Sequence, residues 1–161
     1  MGTLYIASDH TGLALKELLK EHLISEGYEV EDLGAHTFDG GDDYPDFVTP
    51  CAKKVATTKG TRGIVIGGSG HGEAMAANRI PGVRAAVFYG AKGAHTSIES
   101  EETPSRDGFD IVRVARMHND ANMLSLGARF VSDAEAIGAL QAFLETAFSG
   151  EERHIRRIQK F

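Results

Sequence analysis

A chain of 161 residues with 42% hydrophobic and 25% charged residues has the balance of one globular domain, which we place over residues 1–161. Its formal net charge of -6 excludes a general nucleic-acid or membrane-surface binder. No stretch approaches about 18 consecutive apolar residues, no signal pattern opens the chain, and the single cysteine allows no internal disulfide, so we expect a cytoplasmic protein.

The first half of the chain alternates predicted strands and helices. An apolar run over 3–7 predicts a buried strand, and leucines at helical spacing predict a helix that ends at Gly27. Residues 28–33 alternate apolar and acidic side chains, which indicates a strand nearer the edge of a sheet. A second helix is predicted over 44–58, with Pro50 disturbing its first half.

The second half continues the alternation. β-branched residues over 63–66 predict a central parallel strand, which a glycine loop and a short helix from Glu73 follow. A buried strand is predicted over 83–89, and a fifth around 123–126 and 130–131. A capping box from Ser132 to Glu135 opens a helix that reaches about Phe148, and a short basic helix ends the chain. This order predicts an α/β fold of three layers with a five-stranded, mostly parallel sheet.

Residues 91–110 do not fit this alternation. The segment is rich in acidic residues, contains Pro104 and Gly108, and has few apolar side chains. We expect a solvated excursion there, before a helix around 111–117.

The glycine loop at 67–72 is the most informative stretch. Its four glycines let the backbone approach a ligand and point N–H groups at an oxyanion or a phosphate. Glu73 and Ala74 stand where a P-loop needs lysine and a hydroxyl residue, and Glu73 also takes the place of the third glycine of a dinucleotide-binding fingerprint. The loop therefore disfavours a nucleotide-binding domain.

Each further candidate has a functional and a structural interpretation, and the residues alone leave both open. Glu73 can be a base that removes a carbon-bound proton beside the N–H groups, or an acid of a helix first turn. Asp9 can contact a ligand or cap the next helix, and His118 can move a proton or be incidental. Arg153 and Arg157 can bind an anion or lie on a solvated helix.

Three residue types offer weaker evidence of chemistry. The seven histidines show no spacing typical of a metal site, so we expect no metal. Cys51 is interpreted as a packing residue. Tyr44 is interpreted as a residue that fixes the start of a helix, with the lining of a pocket as the alternative.

Taken together, the motifs resemble the type B ribose-5-phosphate isomerases, a family that also includes galactose-6-phosphate isomerase subunits. The matching motifs follow the family order over nearly the whole chain: Ser8-Asp9-His10-Thr11-Gly12, Asp43-Tyr44-Pro45, Gly68-Ser69-Gly70-His71-Gly72, Ala76-Ala77-Asn78-Arg79, Pro81-Gly82-Val83-Arg84-Ala85, His118-Asn119-Asp120-Ala121-Asn122, Gly127-Ala128-Arg129, Arg153-His154 and Arg157. The resemblance implies a Rossmann-like domain, no cofactor, and a homodimer with active sites shared between subunits, with a dimer of dimers as the alternative.

The resemblance also implies residue roles. Many members carry a catalytic cysteine where this chain has Gly67, and a second subgroup instead uses a glutamate in the pattern that ends at Glu73. Glu73 is thus the implied base, and His118 the implied proton donor for ring opening. Implied substrate contacts are Asp9, His10, Gly68, Ser69, Gly70, His71, Gly72, Asn119, Arg129, Arg153 and Arg157, with the last two chiefly on the phosphate.

The segment between Phe88 and His118 is longer than this family usually has. Because the segment directly precedes His118, it can reshape the sugar pocket, and the identity of the sugar stays open. We expect an aldose–ketose isomerase of ribose 5-phosphate, with another sugar phosphate of four to six carbons as the alternative. A non-catalytic regulatory subunit that binds a sugar phosphate is the alternative from a different class.

Overall fold

The computed structural model of the chain describes residues 2–92 and 107–160. Within them, strands and helices follow one another in this order: β1 (Leu4–Ser8), α1 (Leu13–Ser25), β2 (Val30–Asp32), α2 (Pro45–Thr57), β3 (Arg62–Gly67), α3 (His71–Ala77), β4 (Ala85–Phe88), α4 (Asp110–Asn119), β5 (Met123–Gly127), α5 (Asp133–Glu145) and α6 (Glu152–Ile158).

The five strands form one sheet in the order β2-β1-β3-β5-β4, and every pairing is parallel. This confirms the predicted α/β fold, with a sheet that is entirely parallel. The chain first moves from β1 outward to β2 and then continues on the other side with β3. The direction of winding therefore reverses between β1 and β3, where open α/β sheets place their ligands.

Alternate residues of the central strands supply two separate cores. In β1, Leu4 and Ile6 pack with α1 and α5, whereas Tyr5 and Ala7 pack with α2. Because successive strand residues point to opposite faces, each central strand must be apolar throughout when helices cover both faces. The apolar runs at 3–7 and 63–66 meet this requirement.

Pro50 does not interrupt α2, contrary to the sequence expectation. Proline removes the hydrogen bond that residue 50 would donate to the carbonyl of Asp46. Both residues are exposed, so water can satisfy that carbonyl and the helix continues to Thr57.

Three further expectations for the second half of the chain also differ from the structure. The strand expected to be buried at 83–89 is the edge strand β4, in which only Phe88 is fully buried. Phe130 lies in a turn after β5 and is exposed, and Val131 follows that turn, so neither extends a strand. Helix α5 has the predicted capping box at Ser132 but ends at Glu145.

An ion-pair network around the buried Lys16 joins α1 to the end of β2. The Lys16 side chain is fully buried, and its Nζ lies 2.5 Å from Asp32 Oδ2 and 2.6 Å from Glu17 Oε1. Lys20 also binds Asp32 at 2.8 Å. Burial alone would raise the pKa of Asp32, but the hydrogen bonds from Lys16 and Lys20 lower it to about 2.

The expected acidic excursion falls mainly on residues 93–106, which lie outside the described residues. The helix after it is α4, which begins at Asp110. In the described part of the chain, no helix combines the length and the apolar character needed to cross a bilayer.

Candidate active site

The loops after β1 and β3 meet at the carboxyl edge of the sheet. Strands β1 and β3 are neighbours in register, with Ser8 beside Ile66. Asp9 and His10 follow β1 directly, and the glycine loop follows β3. The loop after β5 adjoins them, since Arg129 N donates to Gly68 O at 3.1 Å.

The glycine loop is held in one shape by its own backbone and by β5. Gly70 has φ 77°, in the left-handed region that favours glycine. Its carbonyl accepts a hydrogen bond from the buried Ser125 Oγ at 2.6 Å. Among the described residues, none accepts a hydrogen bond from the N–H of Ser69 or Gly72. Two backbone donors of the loop are therefore available to an oxyanion.

Glu73 is the third residue of α3, yet its side chain turns back over the end of β3. It is only 4% exposed. A Cβ placed on Gly67 would lie 1.8 Å from Glu73 Oε1 and 2.1 Å from its Cδ. The carboxyl group therefore fills the space that any side chain at position 67 would occupy, and Gly67 is what permits this position.

The surroundings of Glu73 favour a base rather than a solvated helix acid. Burial raises the pKa of its carboxyl above the ordinary 4.5, and the negative charge of Asp9 adds to the effect. The backbone N–H groups of Glu73 and Gly70 act in the opposite direction. A carboxylate with a raised pKa can accept a proton from carbon, while N–H donors that no described residue pairs with can stabilise an oxyanion.

Asp9 does not cap α1, which was its structural alternative, because the N-cap is Gly12 and has no side-chain cap hydrogen bond. Asp9 instead organises the turn before the helix. It is 7% exposed, and its Oδ1 accepts hydrogen bonds from Thr11 N at 2.9 Å and Gly12 N at 3.1 Å. The Thr11 hydroxyl donates to the same oxygen at 2.5 Å. These bonds fix the turn between β1 and α1 and hold the carboxylate close to Glu73.

His10 pairs with Asp42, a residue that the sequence reasoning did not single out. His10 Nδ1 lies 2.5 Å from Asp42 Oδ1, and the backbone N of His10 donates to the same oxygen at 3.3 Å. The hydrogen bond to Asp42 raises the pKa of His10, and burial and the charge of Arg129 partly oppose it. No spacing rule could find this pair, because 32 residues separate its members.

Asp9, His10 and Asp42 also present ligand atoms within 4.8 Å of one another. Asp9 Oδ1 and Asp42 Oδ1 each accept at least two hydrogen bonds from the protein, and His10 Nδ1 takes part in one of them. These three atoms are therefore already engaged in hydrogen bonds within the protein.

Tyr44 packs against the glycine loop, and His71 is an exposed member of it. A Cβ on Gly72 would lie 2.9 Å from Tyr44 Oη, so the tyrosine ring packs on the loop, in addition to preceding α2 as the sequence suggested. His71 is exposed, with Nδ1 3.2 Å from Ser69 O and its ring 5.2 Å from that of Tyr89.

His118 and Asn119 lie elsewhere, at the amino edge of the sheet. They end α4, and Arg84 Nε, in the residue just before β4, donates to Asn119 O at 2.9 Å. The His118 ring stacks on the buried His154 ring of α6, with 4.3 Å between centroids. Helix α6 is thereby placed at this edge too.

The C-terminal arginines are on the same α6 and face solvent. Arg157 is exposed, and Arg153 is exposed and paired with Glu151 at 2.6 Å. The five residues of β5 separate this edge from the glycine loop by about 13 Å, since a strand rises about 3.3 Å per residue. The implied site residues of one chain therefore form two separate groups. The group at the carboxyl edge contains Glu73, the glycine loop, Asp9, His10 and Arg129. The group at the amino edge contains His118, Asn119, Arg153 and Arg157.

Comparison with known proteins places this architecture in a family. The sequence model of the ribose/galactose isomerases matches residues 4–103 and 109–161. The chain belongs to this family. A relative in it, the probable ribose-5-phosphate isomerase B of Mycoplasma genitalium, is 43% identical over 158 residues, which are 98% of this chain and 91% of the relative. The ribose-5-phosphate isomerase B of Mycobacterium tuberculosis is 38% identical over 96% of this chain and 84% of its own length.

Solved structures of the isomerase family superpose on the whole fold. The Mycoplasma genitalium ribose-5-phosphate isomerase B with bound ribulose 5-phosphate matches with a TM-score of 0.84 at 41% identity, covering 98% of this chain and 92% of that one. The Clostridium thermocellum enzyme matches with a TM-score of 0.83 at 37% identity, covering 99% and 94%.

Proposed function

We propose that the protein is an aldose–ketose isomerase that interconverts ribose 5-phosphate and ribulose 5-phosphate. The observation that carries this proposal is the buried Glu73 carboxyl group, which fills the space above Gly67. It belongs to a loop whose Ser69 and Gly72 N–H groups bond to no acceptor among the described residues. The ribulose 5-phosphate bound to the Mycoplasma genitalium relative supports the choice of sugar.

The proposed reaction needs one base and one oxyanion site. Glu73 removes the proton from C2 of the open-chain aldose, and the electron pair forms a C1–C2 double bond with negative charge on the C1 oxygen. The N–H groups of Ser69 and Gly72 stabilise that charge. Glu73 then returns its proton to C1, while the proton of the C2 hydroxyl passes to the C1 oxygen, which yields the ketose. General base catalysis contributes about 10²–10⁴-fold and each oxyanion donor about 10²–10³-fold.

His10 and Arg129 supply positive charge at the carboxyl edge, where they can receive the substrate phosphate. The arginine side chain lies over the glycine loop, since a Cβ on Gly68 would be 3.3 Å from Arg129 Nε. Binding the phosphate, which takes no part in the chemistry, fixes C2 close to Glu73.

The second group of implied site residues reaches the base only from another copy of the chain. We propose a homodimer in which His118 of one subunit opens the sugar ring at the Glu73 of the other, with Asn119, Arg153 and Arg157 beside it. The separation of about 13 Å along β5 supports this arrangement, because a pentose phosphate cannot contact both edges of one sheet. Cytoplasmic location and a single domain over 1–161 stay predictions from the sequence.

The test is a panel of aldose phosphates with four to six carbons, assayed with purified protein for ketose formation. We expect turnover of ribose 5-phosphate to exceed that of the other sugars. Faster turnover of a hexose or tetrose phosphate would reassign the substrate. Tight sugar-phosphate binding with no ketose from any member would favour the non-catalytic subunit.

A further inference from the structure

We propose that Asp42 is a positioning residue for substrate binding, which holds His10 as an imidazolium whose Nε2–H points to the phosphate of the sugar. The proposal rests on the proposed function, because it assigns His10 to the phosphate of that substrate. It adds to the site a residue that lies outside the motifs of the family resemblance, one position before Asp43-Tyr44-Pro45.

The two contacts between these residues fix the imidazole. Asp42 Oδ1 faces His10 Nδ1 at 2.5 Å and also accepts from the backbone N of His10 at 3.3 Å. A carboxylate can only accept, so Nδ1 must carry a hydrogen. The ring also packs edge-on against Phe38, with 5.8 Å between centroids. Nδ1 is thus engaged, and Nε2 is the nitrogen left for a ligand.

The burial of Asp42 favours a charged partner. Its side chain is 8% exposed, and its second oxygen, Oδ2, is buried without a hydrogen-bond partner among the described residues. Within the same residues, His10 is the cationic group in ion-pair contact with it. An uncompensated buried carboxylate is costly, so the pair is most stable as carboxylate and imidazolium.

The other groups that face His10 come from its own loop and from the loop after β5. Asp9 adds negative charge and favours the imidazolium, whereas Arg129 disfavours it. Asp42 is the larger influence and raises the pKa of His10 above its ordinary 6.5. A phosphate that binds between His10 and Arg129 then meets two cations, which a neutral histidine would not provide.

The experiment compares wild type with Asp42→Asn, which keeps an acceptor for the His10 N–H groups but removes the charge. KM and kcat for ribose 5-phosphate are measured from pH 6 to 8, and the imidazole nitrogens of His10 are titrated by ¹⁵N NMR. Asp46→Asn is the matched control, since it removes an exposed carboxylate from the first turn of α2.

In Asp42→Asn we expect the His10 titration midpoint to fall toward 6.5, and KM to rise by about tenfold, with kcat unchanged, at a pH between the variant and wild-type midpoints. The ratio of KM between variant and wild type should approach one at pH 6, and this ratio cancels the titration of the substrate phosphate. An unchanged His10 titration, or a KM ratio independent of pH, would overturn the proposal. A wild type without isomerase activity would instead contradict the proposed function, and the NMR titration would still decide the role of Asp42.

Discussion

The most direct consequence of the site geometry concerns position 67, which carries no functional group. Gly67→Ala would place a methyl carbon 1.8 Å from Glu73 Oε1 and 2.1 Å from Cδ, whereas real contacts of a Cβ stay above 3.0 Å. The carboxyl group must therefore retreat by more than about 1 Å. A displacement of about 1 Å at a reacting group can cost about 10²-fold in rate.

We therefore expect Gly67→Ala to lower kcat for ribose 5-phosphate about 100-fold, with KM nearly unchanged because the phosphate-binding groups stay in place. The assay is initial-rate ketose formation, with thermal unfolding to establish that both proteins are folded. Gly40→Ala is the matched control, since its new Cβ would meet only the Phe38 ring at 3.8 Å. A kcat within about threefold of wild type in a folded Gly67→Ala protein would refute the assigned position of the base.

Three further predictions concern pH, stability and assembly. Glu73 acts as a deprotonated base and its pKa is raised, so kcat/KM should decrease at acidic pH with an apparent pKa above 4.5. Asp9→Asn removes a negative charge that raises this pKa, so it should shift the decrease to lower pH. Lys16→Met should lower the free energy of unfolding by about 2 kcal/mol at pH 7, as measured by urea denaturation. Because the pKa of Asp32 in the folded protein is about 2, the difference between the two proteins should vanish as the pH falls toward 2. Mixing inactive Glu73→Gln and His118→Asn chains should restore about one quarter of wild-type activity through mixed dimers, and no recovery after subunit exchange would exclude a shared site.

The strand–helix alternation was readable from the sequence because both faces of the sheet are covered. Central strands such as β1 must then be apolar on both sides, and that pattern is visible without a structure. The position of a strand within the sheet is less visible. β4 has an apolar sequence like that of a central strand, yet it lies at the edge, because strand order depends on crossovers that no local pattern records.

Some residues of the candidate site could likewise be predicted from the sequence, and others could not. Asp9, the glycine loop and Glu73 follow strand ends, so the rule for ligand sites in α/β sheets predicted that they lie at one edge of the sheet, as they do. The Asp42 carboxylate comes from a turn between β2 and α2, and only the folded chain brings it to His10. The separation of His118 from Glu73 likewise required the direction of α4, which carries its C-terminus back to the amino edge.

The proposed function depends on the Glu73 carboxyl group, which moves the proton between C2 and C1. Its most direct test is solvent-deuterium exchange with ribose 5-phosphate in D₂O, followed by NMR, for wild type and Glu73→Gln. Wild type should incorporate deuterium at C2 of the aldose and C1 of the ketose, and Glu73→Gln should bind the sugar phosphate but incorporate none. Deuterium incorporation by Glu73→Gln at the wild-type rate would show that another group is the base.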